Sequence, residues 1–225
     1  MVRMMKNNIK NIQGVIFDLD GTILDSMHIW SEIGLLFLKN KGITPPEGIE
    51  DEFVKMSMVQ AAEYYIKNID PTATVMDVVN EVNALVQDFY FNEVVKKEGV
   101  KEFLDFLKKK DVKMCVATAT DKHLVKKALE RNGISDYFSE IFTCSSVGAG
   151  KDTPVIYNTA LEHLGTPKEN TYVFEDALYA IETAHKAGYN IVGIKDISEK
   201  ADPEEVKKLC DYYINDYAEI YNFFE

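Results

Sequence analysis

The chain has 225 residues, enough for one sizeable core or for a core carrying a smaller insertion. Its 25 basic and 37 acidic side chains leave a net charge of −12, which argues against sequence-independent binding to DNA, RNA or anionic lipid. An anionic ligand then has to be drawn in locally, by a metal or a well-placed lysine. The three cysteines, Cys115, Cys144 and Cys210, are far apart and lack metal-ligand spacing, so they read as core thiols in a reducing compartment.

In chain order, the opening segment MVRMMKNNIKNIQ lacks the long apolar stretch of a signal sequence. No window approaches the ~18 uninterrupted apolar residues of a membrane span. A cytoplasmic location is expected, with neither membrane nor nucleic acid as partner. The next segment, GVIFDLDGTILDS from Gly14 to Ser26, reads as a buried strand that ends in two aspartates, Asp18 and Asp20. Charge at the end of an apolar strand is costly unless something compensates for it.

From Met27 to about Lys96 only helical periods are visible: Ile29, Ile33, Leu36 and Phe37, then Val78, Val82, Leu85, Val86 and Phe89, with Thr44-Pro45-Pro46 as a break. After Gly99 the pattern alternates. Val100, Phe103, Leu104 and Leu107 share one helical face, and the strand-like run Val112 to Thr118 follows. Further β-rich runs at Glu140–Cys144, Thr171–Phe174, Asn190–Ile194 and Tyr212–Ile214 are mostly separated by helical stretches, the pattern of a parallel sheet with crossover helices. The aromatic C-terminal segment YYINDYAEIYNFFE reads as a last strand and a closing helix whose rings belong to the core. The expected fold is α/β: a Rossmann-like parallel-sheet core (residues 1–26 and 97–225) with an inserted α-helical cap domain (27–96).

In open α/β sheets, ligands bind beyond the carboxyl ends of the strands. Asp18 and Asp20 stand at the first such end, Thr118, Ala119 and Thr120 at the second, and Glu175-Asp176 at a third. The loop SSVGAGKDTP after the Glu140–Cys144 run contains Lys151. Asp18 and Asp20 can share a side of their strand, where two like charges push one carboxyl towards its protonated form. The ionised member can attack phosphorus while the protonated one hands a proton to the leaving oxygen. A hard divalent cation, Mg²⁺ first, suits oxygen ligands from Asp18 and Asp176 and offsets the repulsion between carboxylate and phosphate. Lys151, Thr118 and nearby backbone N–H groups would hold phosphate oxygens.

Each of these residues alone has a plainer explanation. Asp20-Gly21 is a good turn dipeptide with Ile23-Leu24 as a hairpin return, and Thr118 has good β propensity. Lys151 alone reads as a solvated lysine, and Glu175-Asp176 as a cap on the helix starting near Ala177. Joint placement is what makes them functional. GAGKDT is not a nucleotide-binding P-loop, because Ser145 replaces the first glycine and Asp152 stands where Ser or Thr must follow the lysine.

Taken together, VIFDLDGT, the strand-ending Thr118, Lys151 in GKDTP and FEDALYAIETAHKAG resemble the four motifs of the haloacid dehalogenase superfamily. The helical module after the first motif resembles the α-helical cap of the subgroup containing β-phosphoglucomutase and phosphoglycolate phosphatase. The resemblance implies that Asp18 is the nucleophile forming an aspartyl-phosphate and that Asp20 is the general acid/base, which also gives the metal its backbone carbonyl. It further implies that Thr118 and Lys151 bind phosphate and that Asp176, with Glu175 beside it, completes the magnesium shell. The aspartate at position 20 favours phosphate esters over carbon–halogen bonds. Asp152 and Val155 depart from the usual third motif, and Ala177 and Ala180 stand where serine and glycine are common in the fourth.

For the leaving group the candidates are His28 and Lys55, with Trp30, Tyr64 and Lys67 beside them; each also has an ordinary packing or surface role. The segment VKMSMVQAAEYY resembles the specificity loop of β-phosphoglucomutase-like proteins, but Met58, Val59 and Gln60 replace the arginine expected to grip a second phosphate. Hinges are expected near Asp25–Met27 and Val94–Gly99. A monomeric Mg²⁺-dependent phosphatase of small, sugar-phosphate-like metabolites is the first expectation. A phosphosugar mutase and a catalytically silent ligand-binding member of the fold are the alternatives.

Overall fold

The computed structural model describes Ile9, residues 11–49, Phe53 and residues 58–224; Lys55 lies outside them. The chain divides into two compact units, Met1–Asp25 with Val94–Glu225, and Ser26–Glu93.

In the larger unit, β1 (Gly14–Phe17) is followed by a tight reversal and by the antiparallel pair β2 (Leu24–Asp25) and β3 (Val95–Lys96). The reversal is closed by the N–H groups of Ile23 and Leu24, which both donate to Leu19 O at 2.8 Å, and by Gly21 N–H, which donates to Leu24 O at 3.0 Å. Gly21 sits at φ +79°, a left-handed conformation that glycine adopts without the clash a Cβ would bring. The Asp20-Gly21 turn and the strand-end aspartates therefore coexist rather than compete as explanations. The helical pattern expected to run to Lys96 stops at Asn92, and Val95 and Lys96 pair instead with Asp25 and Leu24. A two-residue strand is too short to display a period of its own.

The remaining strands are β4 (Lys113–Thr118), β5 (Ile141–Thr143), β6 (Thr171–Glu175), β7 (Asn190–Ile194) and β8 (Tyr212–Ile214). With β1 they form a six-stranded sheet in the order β5-β4-β1-β6-β7-β8, parallel throughout. This is the expected Rossmann-like core. The chain builds outward from β1 through β4 to β5, then crosses to β6 on the other side, so the switch in direction falls at β1.

Alternation along the strands feeds two faces. Ile16, Cys115 and Val173 pack with Ile156, Tyr157 and Ala160 of helix Val155–Leu164 and with Ile181 and Ala184 of helix Leu178–Lys186. On the opposite face the Phe17 ring meets Phe103, Phe138 and Phe174 at centroid separations of 6.4, 6.0 and 4.8 Å. Helix Val100–Lys109 supplies Phe103, and the C-terminal Tyr217 and Tyr221 rings lie against it. Such pairs each add about 0.5–1.5 kcal/mol beyond the apolar burial itself. After β8 the closing element is the short 3-10 turn Glu219–Phe223.

The smaller unit contains helices Met27–Asn40, Met58–Asn68 and Val75–Asn92. Phe37, Leu38, Ala62, Tyr65, Val78 and Val82 form its core, beside a cavity of about 220 Å³ lined by Trp30, Phe53 and Tyr65 among others. Thr74 caps the third helix by accepting from Asp77 N–H. Among the described residues, no helix is long and apolar enough to cross a membrane.

Candidate active site

Register sets the site. Phe17 of β1 lies opposite Val116 of β4 and Phe174 of β6, so the next residue, Asp18, is level with Glu175, and its N–H donates to Phe174 O at 2.9 Å. Asp18, Glu175 and Asp176 are all buried at this end of the sheet. One carboxylate oxygen from each comes within 4.8 Å of the others.

Lys151 reaches the same place from the loop beyond β5. That loop opens with the single-turn helix Cys144–Val147, closed by a reciprocal capping box between Thr143 and Ser146, and leaves it through Gly148 at φ +71°. Lys151 is 4% exposed; its ammonium donates to Asp18 Oδ1 and, at 2.8 Å, to Glu175 Oε2. Tyr157 O–H also donates to Glu175 Oε2, at 3.3 Å, and Thr22 Oγ1 donates to Asp176 Oδ1 at 2.9 Å. Tyr217 O–H holds the turn from below through Thr22 O at 3.2 Å.

A second hydrogen-bonded chain runs through Asp20. Its Oδ2 accepts from Thr120 Oγ1 at 2.6 Å, and Thr120 N–H donates to Thr118 Oγ1 at 3.1 Å. Ala119 is exposed between the two buried threonines. The carboxylate group that converges is Asp18, Glu175 and Asp176; the Asp20 carboxylate is turned to Thr120 instead.

Three buried carboxylates face one ammonium, and the protonation equilibria carry the mark. Burial, with Glu175 beside it, pushes Asp18 up to about 7 against the pull of Lys151. Asp176 is also held well above its ordinary range, by burial and then by Asp18 and Glu175. Burial works against the Lys151 charge, but the two carboxylates outweigh it and raise its pKa well above the ordinary lysine value. With all three carboxyls ionised, two negative charges are left unmatched by Lys151, which suits one divalent cation, and an all-oxygen donor set suits a hard ion such as Mg²⁺. The residues present therefore fit the metal that the motifs imply.

His28 lies in the smaller unit, exposed, with its ring edge-on to Phe89 at 5.1 Å. Trp30 packs on Tyr90 and Tyr64 on Phe53, whereas Lys67 is exposed. The partners Thr22, Thr120 and Tyr157 went unassigned in the sequence. Thr22 sits inside the motif segment VIFDLDGT and Thr120 two residues past Thr118 at its strand end, while Tyr157 carries no local sign that separates it from a core aromatic.

The family model for haloacid dehalogenase-like hydrolases matches residues 15–194. The chain belongs to that family. This hydrolase is 26% identical over 178 residues to a phosphorylated carbohydrates phosphatase of Thermotoga maritima, covering 79% of this chain and 82% of that protein. It is also 26% identical over 179 residues to the validoxylamine A 7'-phosphate phosphatase of Streptomyces hygroscopicus, covering 80% and 84% of the two chains. Among solved structures, a Thermotoga maritima protein assigned as a beta-phosphoglucomutase superposes with a TM-score of 0.82 at 24% identity over 94% of this chain and 97% of that one. CbbY from Rhodobacter sphaeroides gives 0.73 at 17% identity over 94% and 99%. At these identities the two structures speak for the fold alone.

Proposed function

We propose that this haloacid dehalogenase-like hydrolase is a Mg²⁺-dependent phosphatase of small phosphorylated metabolites, sugar phosphates first, acting through a phosphoenzyme on Asp18. The observation that carries this reading is the buried imbalance of three carboxylates against Lys151 at the β1 and β6 ends. The phosphatase names of the two sequence relatives support the substrate class.

Asp18, Glu175 and Asp176 would hold the ion by their carboxylates, with the Asp20 backbone carbonyl beside them. Bound Mg²⁺ supplies the positive charge that offsets repulsion between carboxylate and phosphate. Lys151 fixes Asp18 Oδ1, which leaves Oδ2 to attack phosphorus. The ester P–O bond breaks as the new bond forms, and Asp20 gives its proton to the leaving alkoxide. Asp20 then takes a proton from the water that attacks the phosphoenzyme, the bond from phosphorus to Asp18 breaks, and inorganic phosphate leaves. Lys151, Thr118 and the Ala119 N–H hold phosphate oxygens through both steps.

The test is free-phosphate release from sugar phosphates, phosphoglycolate, nucleoside monophosphates and an aryl phosphate, with Mg²⁺ or with EDTA. Release is expected only with Mg²⁺, and Asp18→Asn should lower it by at least about 10³-fold while keeping the fold. Undiminished release by that variant sinks the assignment of Asp18. An isomerised hexose phosphate without free phosphate sinks the hydrolase.

A further inference from the structure

Asp176 is followed after one residue by helix Leu178–Lys186, whose N-cap position is Ala177. The first N–H groups of a helix have no partner inside it, and Ser, Thr, Asp or Asn usually supplies one from the cap position. Alanine cannot, and the first turn contains no acidic residue. A cap side chain reaches the second or third of these amides, and the first, Leu178 N–H, finds its acceptor elsewhere in the chain. Leu178 N–H donates to Glu199 Oε2 at 2.8 Å, from a residue 21 positions away in the loop beyond β7.

The other oxygen of Glu199, Oε1, accepts from Ala201 N–H at 2.7 Å, so one carboxylate ties its own loop to the start of the helix. That loop is itself anchored: Asp196 Oδ2 accepts from Lys97 Nζ at 2.7 Å, and Asp196 Oδ1 accepts from Ser198 N–H and Oγ at 2.9 and 2.7 Å. On the near side, Ala177 N–H donates to Glu175 Oε1 at 3.3 Å. The two amides after Asp176 are therefore held by Glu175 and by Glu199. A carboxylate is also the charge that the positive end of a helix dipole favours.

We infer that Glu199 is a positioning residue for the metal site, a remote helix cap that fixes the direction of Asp176 by holding the first amide of the helix that follows it. Releasing Leu178 N–H frees the peptide turn on which Asp176 is mounted, and misaligned outer partners typically cost a metal site ten- to a hundredfold in affinity. This inference rests on the proposal that Asp176 helps to hold Mg²⁺.

The experiment is Mg²⁺ binding by isothermal titration calorimetry on the full chain, with phosphate release at saturating Mg²⁺ as a second readout. Glu199→Ala is expected to weaken Mg²⁺ binding about tenfold, with kcat largely recovered at high Mg²⁺. Glu199→Gln, which keeps an acceptor, should bind more tightly than the alanine variant. Should the alanine variant fold poorly, Glu199→Asp keeps the charge and shortens the reach, and it too should lose affinity. Unchanged Mg²⁺ affinity in Glu199→Ala overturns the positioning role alone. A wild-type chain that takes up no Mg²⁺ overturns it together with the reading of the metal site.

Discussion

Lys151 Nζ lies 2.8 Å from Glu175 Oε2 while also donating to Asp18, so a single buried ammonium joins the ends of β1 and β6. Its side chain is 3% exposed, and nothing in bulk water substitutes for it.

Lys151→Met should therefore be a stability mutation as well as a catalytic one. Removing one partner of a buried ionic group typically costs about 3–5 kcal/mol, because the other charge is left uncompensated. In EDTA at neutral pH the urea midpoint is expected to fall with an unchanged slope. Protonation gives the carboxylates another way to lose their charge, so the deficit should shrink in acid. An unchanged midpoint would mean that the cluster is hydrated rather than buried.

Asp18→Asn should do the opposite for the metal-free fold. The folded-state value of Asp18 is raised from 3.8 to about 7, chiefly by burial and then by Glu175. A carboxyl raised in this way contributes stability that is complete below its unfolded value and is lost as pH rises through the folded one. Asparagine mimics the neutral form and loses nothing. In EDTA, the melting temperature of the variant relative to wild type should climb as pH rises from about 4 to about 7. Added Mg²⁺ should raise the wild type more than the variant. A pH-independent difference between the two would remove the electrostatic account.

Thr22→Val tests how Asp176 is aimed. Thr22 Oγ1 donates to Asp176 Oδ1 at 2.9 Å, and valine keeps the shape while deleting the donor. Mg²⁺ affinity should drop about tenfold, as for other lost outer partners of a metal ligand, with phosphate release at saturating Mg²⁺ much less affected. Equal loss at all Mg²⁺ concentrations would place Thr22 in the chemistry instead.

The aspartates that end β1 were legible because charge after Val15-Ile16-Phe17 violates burial, and an apolar strand advertises itself over four or more residues. The parallel sheet was legible for the same reason. Thr22 could be read as part of DGT, but its bond to Asp176 spans 154 residues and exists only once β1 and β6 are in register. Tyr157 falls on a helix face that also packs the core, so no pattern distinguishes its hydroxyl's task. Glu199 lies in a loop where an acid is unremarkable until the uncapped Ala177 is seen opposite it. Val95 and Lys96 were absorbed into the helical module because pairing, not periodicity, defines a two-residue strand.

Asp196 offers a pH signature of opposite sign, remote from the carboxylate cluster. Burial alone would raise it, but the Lys97 ammonium and the N–H and O–H of Ser198 outweigh burial and hold its carboxyl below the ordinary 3.8. A carboxylate lowered in this way contributes stability present above the unfolded value and lost as pH falls through the folded one. Asp196→Asn deletes the charge that Lys97 meets at 2.7 Å, where the two side chains are 4% and 18% exposed. A charge-assisted hydrogen bond of this kind is worth about 1.5–3 kcal/mol, so the variant should melt below wild type at pH 7. The gap should close as pH falls below 3.8 and through the lowered folded-state value, where the wild-type carboxyl is itself neutralised. It should also survive added salt, because a mostly buried pair is screened little. A gap that vanishes in high salt at pH 7 would show that the pair is open to water and adds little to the anchoring of the 196–201 loop.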